Sequence, residues 1–364
     1  MSVFSKQQFK LPPEQQAGGN KCFHPNGDFV DRPIGNRVYS KNAMTQTKPL
    51  MFFAALCLIL LGTHAGAAYG EPQYRLTAGG FGGDAVMSWP VYIAQEKMFL
   101  AREGIQLDFT RSYDQMRALI GGSFDIIVDG ISTTSLAAAK GADIVIVYDL
   151  SHRPSEFISL SRNIYKLADL EGKTIGIGRV GTVNHLLLKQ NLTKNGVDVN
   201  KISFRITGGS NERFAALYNG QVSATLLSTA HAFRAQQEGF QIISLAKELV
   251  FPWTYVVLNR PWAEANSDAV IRFLRGLHRA TSWLYDPANF QEAVRTLTKV
   301  ARLEERTMAW ALKASIEDKV YNLDKPDVRM LQLAVDWHVS QRLLSKAFDA
   351  KSVLDGKYYD AAIR

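Results

Sequence analysis

An α/β fold with helices on both faces of parallel sheets is predicted by three features of the sequence. Short β-branched runs alternate with helical stretches from Tyr74 to Leu245. Glycine-rich or hydroxyl-rich turns follow several of those runs. After Pro261 the strands stop and helical spacing takes over. The alternation begins with TAGGFGGDAVMSWPVYIAQEKMFLAREGIQLDF, Thr77 to Phe109. Here a short strand runs into Gly79, Gly80, Gly82 and Gly83, whose missing side chains let a backbone approach a partner. A helix follows from about Pro90 to Arg102, with Val91, Ala94, Met98 and Leu100 near a 3-4 spacing and Pro90 in the first turn, where it is tolerated. Gly104 stops that helix before the next strand, Ile105 to Phe109.

Further strands are expected at Asp125 to Val128, Ile144 to Tyr148, Thr174 to Gly178, Ile202 to Ile206, Ala224 to Ser228 and Gln241 to Leu245. The alternation breaks at Ser151 to Ser159 and again at Val250 to Val257, the two places where the chain would cross between domains. In the tail, Val270, Leu274, Leu277, Thr281 and Leu284 keep helical spacing behind an N-cap at Ser267 or Asp268. Met308, Leu312 and Ile316 do the same further on.

Composition limits what this fold can serve. The 364 residues are 46% hydrophobic and 21% charged, enough for two domains of ordinary size. The formal charge is +8, but the first 68 residues hold 7 Lys plus Arg against 3 Asp plus Glu, which leaves 35 against 31, or +4, for the rest. A mildly basic chain with scattered charges argues against a nucleic-acid stripe.

The N-terminal stretch reads as processing sequence. Lys48 precedes an uncharged apolar run from Leu50 to Leu61, and Ala65 to Ala68 are small. These are the three regions of a secretory signal peptide at residues 44–68, with cleavage after Ala67 or Ala68. The apolar run is shorter than the roughly 20 residues that a spanning helix needs. Residues 1–43 are polar, carry four prolines and show no hydrophobic period, so they are expected to be disordered, or to precede the true translation start at Met44. Cys22 and Cys57 are the two cysteines, and neither belongs to a chain starting near Tyr69. The exported protein would therefore have no disulfide, thiolate metal site or catalytic cysteine. There is also no GxSxG, HExxH, CxxC or Walker loop, and GGFGG is not GxGxxG, so no cofactor is expected.

Four segments carry a resemblance: PVYIAQEKMFLAREGIQLDF (90–109), GGSFDIIVDG (121–130), LADLEGKTIGIGRVGT (167–182) and ALYNGQVSATLLS (216–228). In this order and spacing they resemble the periplasmic solute-binding proteins of bacterial ABC importers, in the sulfonate, nitrate and thiamine-precursor binding group. The resemblance covers nearly all of the exported chain. It implies a type II periplasmic binding protein fold, with two α/β lobes, a ligand cleft between them, and C-terminal helices packed on the first lobe. Lobe 1 would comprise residues 74–152 and 251–364, and lobe 2 residues 153–250. It further implies a monomer that binds and delivers without catalysing, with the importer's permease and ATPase subunits as partners.

Ligands of such sheets sit at the carboxyl ends of strands, where helix N-termini present free N–H groups. That rule and the matching positions select Gly80, Phe81, Trp89 and Tyr113, then Asp129, Ser132 and Thr133. In the second lobe they select Arg179, Thr182, Asn184 and Ser228, and Trp253 joins them at the second crossing. Each has a plainer explanation. Ser132 to Ser135 would also cap the helix that follows, and Asp129 would orient a loop. Arg179 could form an anion clamp with Thr182 or be a solvated surface group. His185 and His231 fit hydrogen-bonded structure better than a metal site or a base. Trp253 and Tyr255 belong to one strand, of which one face must be core. Hydroxyls, helix N-termini and Arg179 favour a small organic anion, such as a sulfonate or carboxylate, with nitrate as a further candidate. The alternatives are a neutral heteroaromatic such as a thiamine-precursor pyrimidine, or an enzyme of the thiamine-pyrimidine synthase type, which the missing cysteines oppose.

Overall fold

The computed structural model describes residues 71–82, 85–112 and 114–364. The expected signal peptide, the segment upstream of it and Tyr113 lie outside the described residues. Among the described residues ten strands form two five-stranded sheets. The first holds β1 (Tyr74–Gly80), β2 (Ile105–Arg111), β3 (Ile126–Gly130), β4 (Ile144–Ser151) and, from far along the chain, a strand at Thr254–Asn259. The second holds β5 (Glu156–Leu160), β6 (Thr174–Ile177), β7 (Ser203–Ile206), β8 (Ala224–Ser228) and β9 (Gln241–Ser244). With the late strand labelled β10, the orders are β2-β1-β3-β10-β4 and β7-β6-β8-β5-β9.

The sheets are not wholly parallel, contrary to the sequence expectation. β1 runs parallel to β2 and β3, and β6 runs parallel to β7 and β8. β10, by contrast, is antiparallel to β3 and β4, and β5 is antiparallel to β8 and β9. The reason lies in the connections. β5 enters its sheet directly from β4, and only the four-residue helix Leu245–Glu248 separates β9 from β10, so neither entry has the long crossover that a parallel connection needs. Both expected crossings, Ser151 to Ser159 and Val250 to Val257, contain such an entry: β4 ends at Ser151 and β5 starts at Glu156, while β10 starts at Thr254.

Alternation along the strands, interrupted in β4 where Val147 and Tyr148 join the same core, packs both faces of the first sheet. Ile126, Val128, Val145, Val147, Val256 and Leu258 face one apolar core, shared with the helices Trp89–Glu96, Ser267–Tyr285 and Phe290–Ala301. Ile127, Ile144, Ile146, Tyr255 and Val257 face the other, shared with Ile131 and Ala137 of the helix Ile131–Ala139 and Leu331, Ala334 and Val335 of the helix Val328–Ser340. This second core runs on into the other sheet through Ile158, Leu160, Ile175 and Leu226.

The single helix expected from Pro90 to Arg102 is two, Trp89–Glu96 and Phe99–Arg102, separated by Met98 in the left-handed region at φ 59°. The break lets Phe99 and Leu100 meet the C-terminal helices at Gly276, where an added Cβ would lie 2.8 Å from Leu100 Cδ2 and 3.2 Å from the Phe99 carbonyl oxygen. Glu103, buried, pins the same contact by accepting from Arg275 (3.0 Å) and Arg279 (2.6 Å). The N-cap of the helix Ser267–Tyr285 is Asn266, one residue before the expected pair. Asp268 instead accepts from Tyr74 Oη at 2.8 Å and Arg272 Nε at 2.7 Å.

The C-terminal helices pack on the first sheet as expected, and one of them reaches further. Trp310, in the helix Glu305–Glu317, lies between Phe157 of β5 and Phe233 of the helix Thr229–Gln237, with ring centroids 5.3 and 5.4 Å away. Ser244 at the end of β9 donates to Asp318 at 2.5 Å.

A cleft lined by unpartnered acceptors

A cavity of about 350 Å³ lies where the ends of β3 and β5 meet. That is the small end of the range for small-molecule sites. Elements of both sheets line it. Phe81 follows β1, and Asp114 to Met116 open the helix Gln115–Ile120. Asp129 to Thr133 carry β3 into the helix Ile131–Ala139, and Trp253 directly precedes β10. From the second sheet come Glu156, the first residue of β5, and Val183 and Asn184, the first two residues of the helix Val183–Lys194.

Two hydrogen-bonded carboxylates define its chemistry. Asp129 Oδ1 accepts from the Gly130 backbone N–H (2.9 Å) and from Gln115 Nε2 (3.0 Å), so this oxygen holds the strand-to-helix turn. Asp129 is 3% exposed and Gln115 4% exposed, yet Asp129 Oδ2 and Gln115 Oε1 have no partner among the described residues. Across the cavity Glu156 Oε1 accepts from Asn184 Nδ2 at 3.0 Å, while its buried Oε2 is also unpartnered. Burial pushes the Asp129 carboxyl up to about 6, against the opposing pull of the Gly130 and Gln115 hydrogen bonds. Burial likewise raises Glu156, partly offset by the charge of Arg213 and the Asn184 bond. No Lys, Arg or His is among the lining residues. The apolar walls are Phe81, Met87, Met116, Ile131, Val183 and Trp253, with Trp253 Nε1 donating to Met87 Sδ at 3.1 Å.

Six of the sequence-selected residues line this cavity: Phe81, Asp129, Ser132, Thr133, Asn184 and Trp253. No side chain caps the helix Ile131–Ala139, whose N-cap is Gly130, so capping does not account for the hydroxyls of Ser132 to Ser135. Ser132 Oγ lies 3.4 Å from His338 Nε2, and Thr134 and Ser135 are buried with unpartnered hydroxyls.

Gly80 and Trp89 are elsewhere. Gly80 is a β1 residue at which a Cβ would come 2.6 Å from Phe109 Cζ, so its lack of a side chain makes room for a ring. Trp89 is fully buried in the apolar core. Arg179 is exposed and borders neighbouring cavities together with Thr182, not this one. Thr182 Oγ1 donates to the Arg179 carbonyl (3.1 Å) and accepts from His185 N–H (3.4 Å), which makes it the cap of the helix Val183–Lys194. Ser228 is the cross-strand partner of Glu156 but is not among the lining residues; its Oγ is engaged with His231 Nδ1 at 3.0 Å, and His231 Nε2 with Asn211 Oδ1 at 2.7 Å. His185 Nδ1 accepts from the Gly181 N–H, a structural bond.

The lining side chains not selected from the sequence are Met87, Asp114, Gln115, Met116, Ile131, Glu156 and Val183. Gln115 lies two residues after the selected Tyr113, and Glu156 is the one acidic residue of the crossing segment SHRPSEFIS. A carboxylate at the start of a buried strand was the available signal.

Solved structures of similar architecture share the fold at low identity. The periplasmic aliphatic sulphonate binding protein SsuA from Escherichia coli has a TM-score of 0.64 at 20% identity, covering 78% of this chain and 94% of its own. The alkanesulfonate-binding protein SsuA from Xanthomonas axonopodis pv. citri, bound to MOPS, has a TM-score of 0.61 at 21% identity, covering 77% and 98%. The periplasmic nitrate-binding protein NrtA from Synechocystis PCC 6803 has a TM-score of 0.60 at 14% identity, covering 79% and 88%. The chain thus has the periplasmic binding protein fold. No curated protein sequence matches it. The NMT1/THI5 like family model matches residues 86–289, which is more than half of the chain and spans β2 to β10, and the chain belongs to that family.

Proposed function

We propose that the protein is the extracytoplasmic substrate-binding component of an ABC importer. It captures a small organic molecule between lobe 1 (74–152 and 251–364) and lobe 2 (153–250), and delivers it to a permease served by an ATPase. The observation that carries this reading is the cavity of about 350 Å³ to which both sheets contribute buried polar atoms without partners. Such atoms are costly in an empty protein and are satisfied by a ligand. A cavity lined from both sheets also couples binding to closure, because a ligand touching both lobes favours the closed state. The signal peptide reading supports a periplasmic location, and the lack of cysteine after Tyr69 supports binding over synthase chemistry.

The test is a screen of the exported chain from Tyr69 for bound small molecules, by native mass spectrometry as purified and by thermal shift against organic solutes of each charge class. A saturable rise in Tm is expected for one class, since a ligand at 100 times its Kd adds about 2.7 kcal/mol. Small-angle scattering should show compaction with the same compound. No stabilising compound and no co-purified small molecule would remove this reading.

A further inference from the structure

The ligand's charge follows from the lining. On the reading that the cleft holds an imported solute, we propose that this solute is an organic cation, a compact ammonium or amidinium. Its N–H groups are shared between Asp129 and Gln115 on one lobe and Glu156 on the other.

The accounting of donors and acceptors leads there. Asp129, Gln115 and Glu156 line one cavity, and each carries a buried acceptor, Oδ2, Oε1 and Oε2, without a donor among the described residues. Asp114, exposed at the rim and 3.4 Å from Arg117, adds a third carboxylate. Among the described residues no cationic side chain lines this cavity; Arg179 borders a neighbouring one that shares Ser132, Val183 and Asn184 with it. Arg213 stands behind Glu156 and its charge offsets part of that carboxylate's burial, but its N–H groups are directed to the Leu226 and Gly208 carbonyls and to Ser210 Oγ, which leaves Glu156 Oε2 without a donor. An anion placed here would meet two carboxylates and would have to recruit its donors from backbone and hydroxyls. A cation removes the burial penalty of both carboxylates and completes their hydrogen bonds in one step. A carboxyl raised to about 6 is still mostly ionised at pH 7.5, so Asp129 presents an acceptor and not a donor. A bare metal ion fits poorly: among the described residues no group of three His, Cys, Asp or Glu side chains could hold one, and the Phe81, Met87 and Trp253 walls would have nothing to cover. Those walls suit the apolar body of an organic cation, and aromatic faces attract such cations.

The experiment uses single-ring probes of one shape and different charge: benzamidinium and benzylammonium, neutral benzamide, benzoate and benzenesulfonate. Binding to the protein exported from its full-length gene is read by ligand-observed NMR at pH 7.5. The expected result is that benzamidinium binds at least about tenfold more tightly than benzoate or benzenesulfonate, and that Glu156→Gln and Asp129→Asn each weaken it by about tenfold. Glu156→Gln keeps the Asn184 bond available, so the test does not rest on Asp129→Asn folding. Equal or tighter binding of either anion overturns the inference, as does benzamidinium affinity unchanged in Glu156→Gln. An anion that binds and is lost in Trp253→Ala overturns the cation while leaving the solute-binding reading in place. Failure of every probe, with no small molecule retained on purification, overturns both.

Discussion

Gln115 Nε2 and Asp129 Oδ1 meet at 3.0 Å, and this bond leaves Gln115 Oε1 and Asp129 Oδ2 buried and without a partner among the described residues. The empty protein therefore carries a destabilising carboxylate whose effect depends on pH. The folded-state value of about 6 lies above the ordinary 3.8, so the neutral form is the one that folding prefers. Stability from this group is fully present below about pH 4, declines as pH rises through 6, and is absent above. Two units correspond to about 3 kcal/mol at most. Asp129→Asn should raise the ligand-free Tm at pH 7.5 by a few °C and lose that advantage near pH 4. Urea unfolding of both proteins at pH 4, 5, 6, 7 and 8 measures it. Glu156 faces the same cavity and burial raises its carboxyl too, so the quantity to follow is the difference between the two proteins. A constant difference across the range would contradict the assignment.

Gly80 makes a different prediction. Its Cβ would overlap Phe109 (2.6 Å to Cζ) and come 3.3 Å from Val128 Cβ. Gly80→Ala should cost about 1–3 kcal/mol by overpacking. A Gly80→Ala, Phe109→Leu double variant should recover part of that loss, because the leucine is shorter. Denaturant midpoints of the wild type and the single and double variants decide it. A glycine kept for ligand approach would instead show lost affinity with unchanged stability.

Much of this architecture was legible, for identifiable reasons. Strand–turn–helix alternation is local in sequence, and the strand-end rule brought Asp129, Ser132, Thr133 and Asn184 to the cavity. What failed was pairwise and distant. Gly80 looks like a loop glycine until Phe109, one strand away, occupies its space. Trp89 has the right neighbours in sequence, but helix geometry turns it into the core. Arg179 and Thr182 suggested a clamp because the sequence cannot show that the hydroxyl of Thr182 is already used at a helix N-terminus. The antiparallel entry of β5 and β10 is set by which sheet each joins, which no local period encodes.

Arg179→Ala tests the discarded clamp directly. The side chain is exposed and outside the cavity, so its removal should change benzamidinium affinity by less than about twofold, within the range of screened surface charges. Isothermal titration at low and moderate salt reads it. A tenfold loss of binding for any anion would restore the clamp.

Trp310 supplies the last expectation, about motion. Its ring packs on Phe157 and Phe233, which belong to the second sheet's strand β5 and one of its helices, while the helix that carries it also packs on Phe290–Ala301 beside the first. Any rotation between the lobes must slide or open this contact, so its strength contributes to the energy of opening. Trp310 is half-buried, so Trp310→Ala should destabilise by about 2–3 kcal/mol, somewhat below the cost for a fully buried tryptophan. It should also enlarge the ligand-free radius of gyration in small-angle scattering. A lock would resist opening, and its loss would then speed ligand release in stopped-flow measurements. If the variant were merely less stable, with unchanged scattering and release rate, Trp310 would be a packing residue with no part in opening.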